Sequence, residues 1–389
     1  MAEVKITDSI RYVGVDDTTL DLFESQYVIP DGVSYNSYVI LDDKIAVMDT
    51  VDGRATEEWL DKVQLVLAGK EPDYLVVSHM EPDHSGSIKV LAEKYPQMKL
   101  VGNAKTFGMM AQFFTMDLED RKVVVKEGEE LSLGTHTLQF YMAPMVHWPE
   151  VMVTYEKAEK VLFSADGFGK FGALGKEDKE GWACEARRYY FNIVGKYGAQ
   201  VQALLKKAAG LDIQVICPLH GPVLTENLGY YIGLYDTWSS YRPEASGVTI
   251  AYASIHGNTA KAAKAMAEIL EKKGAGKVEV FDLSRADMAE AVEAAFQYDK
   301  LVLAAATYDG GVFPPMEDFL HHLKSKAYQN RKVALVENGS WGPLAAKTMK
   351  SVLEGMKNLT ICEKTVTIKS AMKEEDRAGL EQLAEELLA

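Results

Sequence analysis

Tyr74-Leu75-Val76-Val77-Ser78-His79-Met80-Glu81-Pro82-Asp83-His84-Ser85-Gly86 decides how the first half of this chain is read. An apolar run of strand formers ends at Ser78, and four potential metal ligands, His79, Glu81, Asp83 and His84, follow within six positions before a helical pattern resumes. A carboxylate or imidazole taken out of water needs a partner, and a cation supplies one while keeping its ligands deprotonated. Capping acids at a helix N-terminus account for one such residue. They do not account for four. The stretch reads as a buried strand whose carboxyl end delivers a ligand cluster.

Three more candidates stand where a strand gives way to a loop. His147 follows Met142-Ala143-Pro144-Met145-Val146, Asp166 follows Val161-Leu162-Phe163-Ser164-Ala165, and His220 follows Ile216-Cys217-Pro218-Leu219. Residues at strand carboxyl ends converge on one edge of an α/β architecture, where sites are commonly built. Taken together they form a distributed set, too large for one ion. His136, His321 and His322 lack this setting and read as ordinary polar residues.

The chain has 389 residues, 47% of them hydrophobic and 25% charged, which fits a soluble protein of two or more domains and excludes extended disorder. The boundary is expected at Tyr241-Arg242-Pro243-Glu244-Ala245-Ser246-Gly247, giving domains 1–246 and 247–389. Net charge is −15, which argues against nucleic acid as a partner. The charge is uneven: residues 247–389 carry 18 basic against 20 acidic side chains, residues 1–246 carry 24 against 37. Cys184, Cys217 and Cys362 form no CxxC, which excludes thiolate-held clusters and points to buried reduced thiols. The stretch Met1–Ile10 mixes Glu3, Lys5 and Asp8 into its apolar residues, so no signal peptide or membrane span is expected and the location is expected to be cytoplasmic.

In the first half, Tyr35–Leu41 and Lys44–Asp49 read as a hairpin around Asp42-Asp43. Strands at Tyr74–Ser78, Lys122–Val125, Leu138–Met142, Val161–Ser164 and Gln214–Cys217 mix with helices such as Ala55–Leu67. The second half alternates regularly: strand Val248–Ala253, helix Thr259–Lys273, then strands Val278–Asp282, Lys300–Ala306 and Lys332–Val336. That is a doubly wound unit of about five parallel strands.

With these motifs in place, the chain resembles the flavodiiron proteins (A-type flavoproteins) over nearly its whole length. Their H-x-E-x-D-H pattern stands here as His79-x-Glu81-x-Asp83-His84, and their later ligands match His147, Asp166 and His220. The resemblance implies a metallo-β-lactamase-like αββα sandwich followed by a flavodoxin-like domain. It also implies one iron held by His79, Glu81 and His147, a second by Asp83, His84 and His220, and Asp166 bridging. Zinc hydrolases of the same fold usually carry His where this chain has Glu81, and the exchange adds an anionic oxygen donor. Four neutral imidazoles and three carboxylates leave a diferrous pair at +1, a charge that can be buried. Divalent affinity order alone favours zinc, so iron rests on redox context and on the resemblance.

The second domain supplies that context. Strand Val248–Ala253 runs into Ser254-Ile255-His256-Gly257-Asn258-Thr259 and then into a helix, with no Lys or Arg from Ala251 to Ala260. Hydroxyls and helix N-terminal N–H groups can hold a phosphate there. The loop is neither a Walker A motif nor GxGxxG. Two further loops, Thr307-Tyr308-Asp309-Gly310-Gly311 and Glu337-Asn338-Gly339-Ser340-Trp341-Gly342, end neighbouring strands. The resemblance assigns Ser254, His256, Gly257, Asn258 and Thr259 to the phosphate of FMN. It assigns Thr307, Tyr308, Asp309, Gly310, Gly311, Asn338, Gly339, Ser340 and Trp341 to its ring. His256 replaces the family's commoner Thr or Tyr, and Trp341 has the alternative of a core anchor. Trp148 and the run Tyr189-Tyr190-Phe191 are open between pocket wall and core.

The combination implies an oxidoreductase that reduces O2 to water, NO to N2O, or both. With no CxxC pairs, electrons are expected from a separate carrier, rubredoxin above all, and the family's arrangement implies a head-to-tail homodimer or a dimer of dimers. A zinc hydrolase with a passenger flavin domain and a flavin electron carrier without metal are the competing classes.

Overall fold

The computed structural model describes residues 4–177 and 181–389, so of the Met1–Ile10 stretch the first three residues lie outside it. Contacts divide the chain into two compact units, Met1–Tyr189 with Ala199–Tyr235, and Tyr190–Gly198 with Asp236–Ala389.

The first unit is built on two sheets. One runs in the order Val4–Lys5, Ile10–Tyr12, Tyr38–Ile40, Ala46–Met48, Tyr74–Val76, Lys99–Gly102, Lys122–Val124; the other in the order Glu130–Ser132, Thr137–Met142, Met152–Glu156, Val161–Phe163, Val215–Cys217. Their facing sides share one core, with Ile40, Met48, Val76 and Val101 from the first sheet and Phe140, Met152 and Phe163 from the second. The rings of Tyr38 and Phe163 meet edge-on across it at 5.4 Å. Truncating Phe163 to alanine there is worth about 3–5 kcal/mol. The expected hairpin is present, with Tyr38 opposite Met48, but its first strand is shorter than the apolar pattern predicts. Asn36 and Ser37 leave the strand because their side chains are used elsewhere: Asn36 Nδ2 donates to Pro218 O and Gly221 O, and Ser37 Oγ to Asp49 O.

Pairing direction positions the site. Ala46–Met48 lies parallel to Tyr74–Val76, and Val161–Phe163 parallel to Val215–Cys217. The loops beginning at Asp49, Val77, Ser164 and Pro218 therefore all leave from strand carboxyl ends.

The second unit has the parallel order Lys277–Asp282, Ala245–Ala253, Tyr298–Tyr308, Lys332–Asn338, Thr360–Ile368, the order of a doubly wound nucleotide-binding sheet. Helices Asn258–Lys272 and Glu374–Leu388 bury Met266, Leu270, Leu380 and Leu383 against Ile250, Val302 and Val336. The first strand starts at Ala245, inside the expected linker, because Gly247 N donates to Asp299 Oδ1 and the register shifts between Ala245 and Val248. The last strand was not read from the sequence, since Glu363 and Lys364 interrupt its apolar run, as is common at a sheet edge.

Candidate functional site

Seven side chains of the first unit gather in two adjoining groups: His79, Glu81, His147 and Asp166, and Asp83, His84 and His220. His79 Nε2 and His147 Nε2 each stand 3.2 Å from Asp166 Oδ2, and 3.2 and 3.0 Å from Glu81 Oε2. In the other group, His84 Nε2 is 3.3 Å from Asp166 Oδ1, and His220 Nε2 is 3.2 Å from Asp83 Oδ2. Asp166 thus turns one oxygen to each group. Donors about 2.1 Å from a common ion and at right angles around it stand roughly 3.0 Å apart. The observed separations suit two ions side by side.

The polar accounting agrees. Both carboxylate oxygens of Asp83 and of Asp166 are sealed from solvent without a hydrogen bond, as is His84 Nδ1. Each orphaned group of this kind costs about 1–3 kcal/mol, and more when charged. His84 Nε2 and His220 Nε2 face each other at 3.0 Å. His220 Nδ1 donates to Ser34 O at 2.8 Å, so its Nε2 presents a lone pair to the cluster. Cations between these donors would remove the cost at the Asp83 and Asp166 oxygens and at the two facing Nε2 atoms; His84 Nδ1, on the opposite side of its ring, is outside their reach.

Neighbouring groups fix the donors. Glu150 Oε1 accepts from His79 Nδ1 at 2.8 Å and from Met80 N at 2.8 Å, selecting the tautomer that leaves His79 Nε2 for the pocket. Asp49 Oδ1 accepts from Ser78 N at 2.6 Å, and Thr50 Oγ1 donates to His84 O. Asp83 and His84 ride on the single turn Pro82–Ser85, where proline at the first position forfeits only an N–H that has no helical partner anyway. Gly221, at φ +77°, lets the loop pass Lys170, whose Cγ would lie 2.5 Å from a Cβ.

The field of the pocket is cation-seeking. Burial works against a charged His79, yet Asp166, Glu150 and Glu81 outweigh it and hold its pKa well above the ordinary value; His147 is raised to about 9 in the same way, chiefly through Asp166 and Glu81 against its burial. Burial also opposes ionisation of Asp166, and the surrounding imidazoles still hold its pKa well below the usual carboxylate range. Burial pushes the Cys217 thiol up, so it offers no thiolate to the pocket. His136, read as an ordinary polar residue, is instead buried with its Nδ1 3.1 Å from Glu156 Oε1.

The second unit holds a cavity of about 430 Å³ at the strand carboxyl ends, a size that suits a mononucleotide. Ser254, His256, Asn258, Thr259, Thr307, Asp309, Gly310, Asn338, Gly339, Ser340 and Trp341 line it, joined by Ile255, Leu344 and Ser370, which the sequence did not single out. Gly257, Tyr308 and Gly311 are not in the lining. Gly257 makes the turn at φ +82°, and Tyr308 and Gly311 pair across the two-residue Asp309-Gly310 turn, both of whose φ angles are positive. The helix Asn258–Lys272 has no side-chain cap at its N-terminus, leaving its first N–H groups for an anion. Trp341 is 94% exposed, which removes the core-anchor alternative, whereas Tyr189, Tyr190 and Phe191 are all buried.

A family model described as "ODP family beta lactamase" matches residues 33–221, and a flavodoxin-domain model matches residues 249–360. A nitric oxide reductase of Moorella thermoacetica is 28% identical over 394 residues, covering 99% of this chain and 98% of its own. The solved rubredoxin oxygen:oxidoreductase of Desulfovibrio gigas superposes with a TM-score of 0.93 at 27% identity, over 100% of this chain and 98% of its own. The chain belongs to the flavodiiron proteins. The flavodiiron protein of Giardia intestinalis, at 24% identity, shares the fold with a TM-score of 0.94 over 100% of this chain and 96% of its own.

In this flavodiiron protein the supporting residues Glu150, Asp49, Ser34 and Asn36 escaped the sequence reading. Glu150 had a usable signal, an acid directly ahead of the apolar run Val151-Met152-Val153. Ser34 had none, since its carbonyl accepts from His220 Nδ1 and its Oγ from Gly221 N, both remote in sequence.

Proposed function

We propose that this flavodiiron protein reduces a diatomic gas, O2 to water or NO to N2O, with iron held by the seven clustered side chains and FMN in the cavity of the second unit. The observation that carries the proposal is Asp166, a fully buried carboxylate with one unbonded oxygen toward His79 and His147 and the other toward His84. The names of the relatives support both gases. Two ferrous ions and reduced FMN supply four electrons, the number that turns O2 into two waters, while coupling two NO to N2O and water takes two.

The residues divide the work. His79, Glu81 and His147 would hold one ion and Asp83, His84 and His220 the other, with Asp166 offering one oxygen to each group. Three carboxylates offset most of the charge of two divalent ions, which keeps a buried pair tolerable. Glu150 and the Ser34 carbonyl lock two imidazole rings, so the donors need not reorganise during turnover. Glu81, with 13% of its side chain exposed, and Asp83, with 11%, are the most open of the seven donors. In the FMN domain, residues 247–389, the Ser254 and Thr259 hydroxyls and the uncapped helix start hold the phosphate. The loops around Thr307–Gly310 and Asn338–Trp341 frame the ring, with Trp341 as its apolar cover.

Electrons come from a rubredoxin-like carrier, and a head-to-tail second copy brings the flavin of one chain to the metal pocket of the other. Among the described residues no helix is long and apolar enough to cross a membrane, and the protein works in the cytoplasm. Metal and flavin analysis combined with anaerobic rapid mixing of the reduced holoprotein with each gas tests the proposal. Iron near two per chain, bound flavin, and oxidation by either gas are expected. Zinc alone, flavin without metal, or inertness toward both gases would overturn it.

A further inference from the structure

Behind the loops that carry His147 and Asp166 the first unit holds a second cavity, of about 240 Å³, partly open to solvent beside the exposed Lys207 and Ala209. Its inner wall is apolar and buried, formed by Val146, Val153, Leu162, Phe168 and Ile216. Val146 precedes His147 in the chain, and Gly167, also in the lining, follows Asp166. Its outer wall is the helix Gly198–Ala208 and the segment after it, where Leu204, Leu205, Ala208, Leu211 and Ile213 are only half buried. The cavity thus runs from a thin outer layer of side chains to the backbone of two candidate ligand loops.

The few polar groups of the lining are already engaged. Ser164 Oγ donates to Gly167 O, Tyr235 OH accepts from Phe168 N, Tyr141 OH donates to Gln139 Oε1, and Lys207 Nζ donates to Glu127 Oε2 and Met142 O. Water needs two to four polar partners to settle in such a space; an apolar cavity of about 150 Å³ stays dry and takes benzene or xenon instead. A mostly apolar space of this size suits small apolar solutes, and dissolved diatomic gases are apolar solutes that leave water readily.

We propose that this cavity is a gas reservoir, filled from solvent across the Gly198–Ala208 helix and emptying toward the metal pocket past Val146 and Gly167. The proposal rests on the gas-reductase function and adds a separate apolar route for the substrate. It is tested by xenon pressurisation of crystals of the holoprotein and by stopped-flow association of NO with the reduced holoprotein. Xenon is expected in the wild-type cavity. Ala208→Phe, which puts a ring into the space, should exclude xenon and slow NO association roughly tenfold, whereas Ala203→Phe, on the exposed side of the same helix, should change neither. Absence of xenon from the wild-type cavity, or an unchanged association rate in Ala208→Phe that retains its iron and flavin, would overturn the reservoir. A working reductase without xenon in the cavity removes the reservoir alone. Protein that admits xenon but consumes neither gas removes the reductase function, and the reservoir's role with it.

Discussion

The metal pocket and the flavin cavity solve opposite problems. In the pocket, His79, His84 and Asp166 have no exposed surface, and every ring whose second nitrogen is fixed is fixed by another buried group. Around the flavin cavity Trp341 is 94%, Tyr308 45% and Ile255 42% exposed. There the recognition comes from backbone turns and a helix start. Charges removed from water need a partner in every direction, so one substitution in the pocket unbalances several neighbours. A backbone cradle open to solvent loses only the contact that was removed.

The largest effect is expected for Asp166→Asn. An amide puts N–H donors where a carboxylate faces two cation positions, so iron should fall well below two per chain and gas reduction should be lost, measured by metal analysis and anaerobic mixing. Retention of both would break the comparison. Glu150→Gln should weaken iron binding about 10–100-fold with little change in FMN affinity, read by competition with a ferrous chelator. In the other region, Thr259→Ala should raise the FMN Kd about tenfold, the loss of roughly 1.5 kcal/mol from one hydrogen bond to a charged group, and leave iron content alone; flavin fluorescence quenching checks it. Trp341→Ala should change unfolding free energy by no more than about 0.5 kcal/mol and weaken FMN only a few-fold, losing about 0.5–1.5 kcal/mol of ring contact.

The smallest effect sharpens the comparison with a group from each unit. Burial pushes the thiol pKa of Cys217, in the first unit, well up, and it raises that of Cys362, in the flavodoxin unit, to about 11. Both stay protonated at pH 8, so a thiol reagent should modify neither in the folded holoprotein and both after unfolding.

Much of this was legible in the chain. The seven candidate donors announce themselves because charged and imidazole side chains directly beyond buried strands are costly without a shared purpose, and Ser254–Thr259 announces itself as hydroxyls and a glycine between a strand and a helix. The strand cores were legible too, though their ends were not: Asn36 and Ser37 look like strand residues until their partners at Pro218, Gly221 and Asp49 are known. Glu150 and Ser34 stayed hidden because their partners lie far away in sequence, 71 and 186 residues off. Trp341 was ambiguous for a related reason: an indole suits a core or a flavin face equally, and only its surroundings distinguish them.

By itself the sequence determined the inventory: which donors exist, their order along the chain, the fold they sit on, and the loop that can cradle a phosphate. Those follow from local patterns of burial, charge and turn chemistry that extend over a few residues. Only the tertiary structure decided which oxygen of Asp166 faces which imidazoles, which ring nitrogens point inward, and that an apolar space lies behind the His147 and Asp166 loops. Such features depend on distances between segments far apart in the chain, and side-chain packing fixes those distances to within a fraction of an ångström.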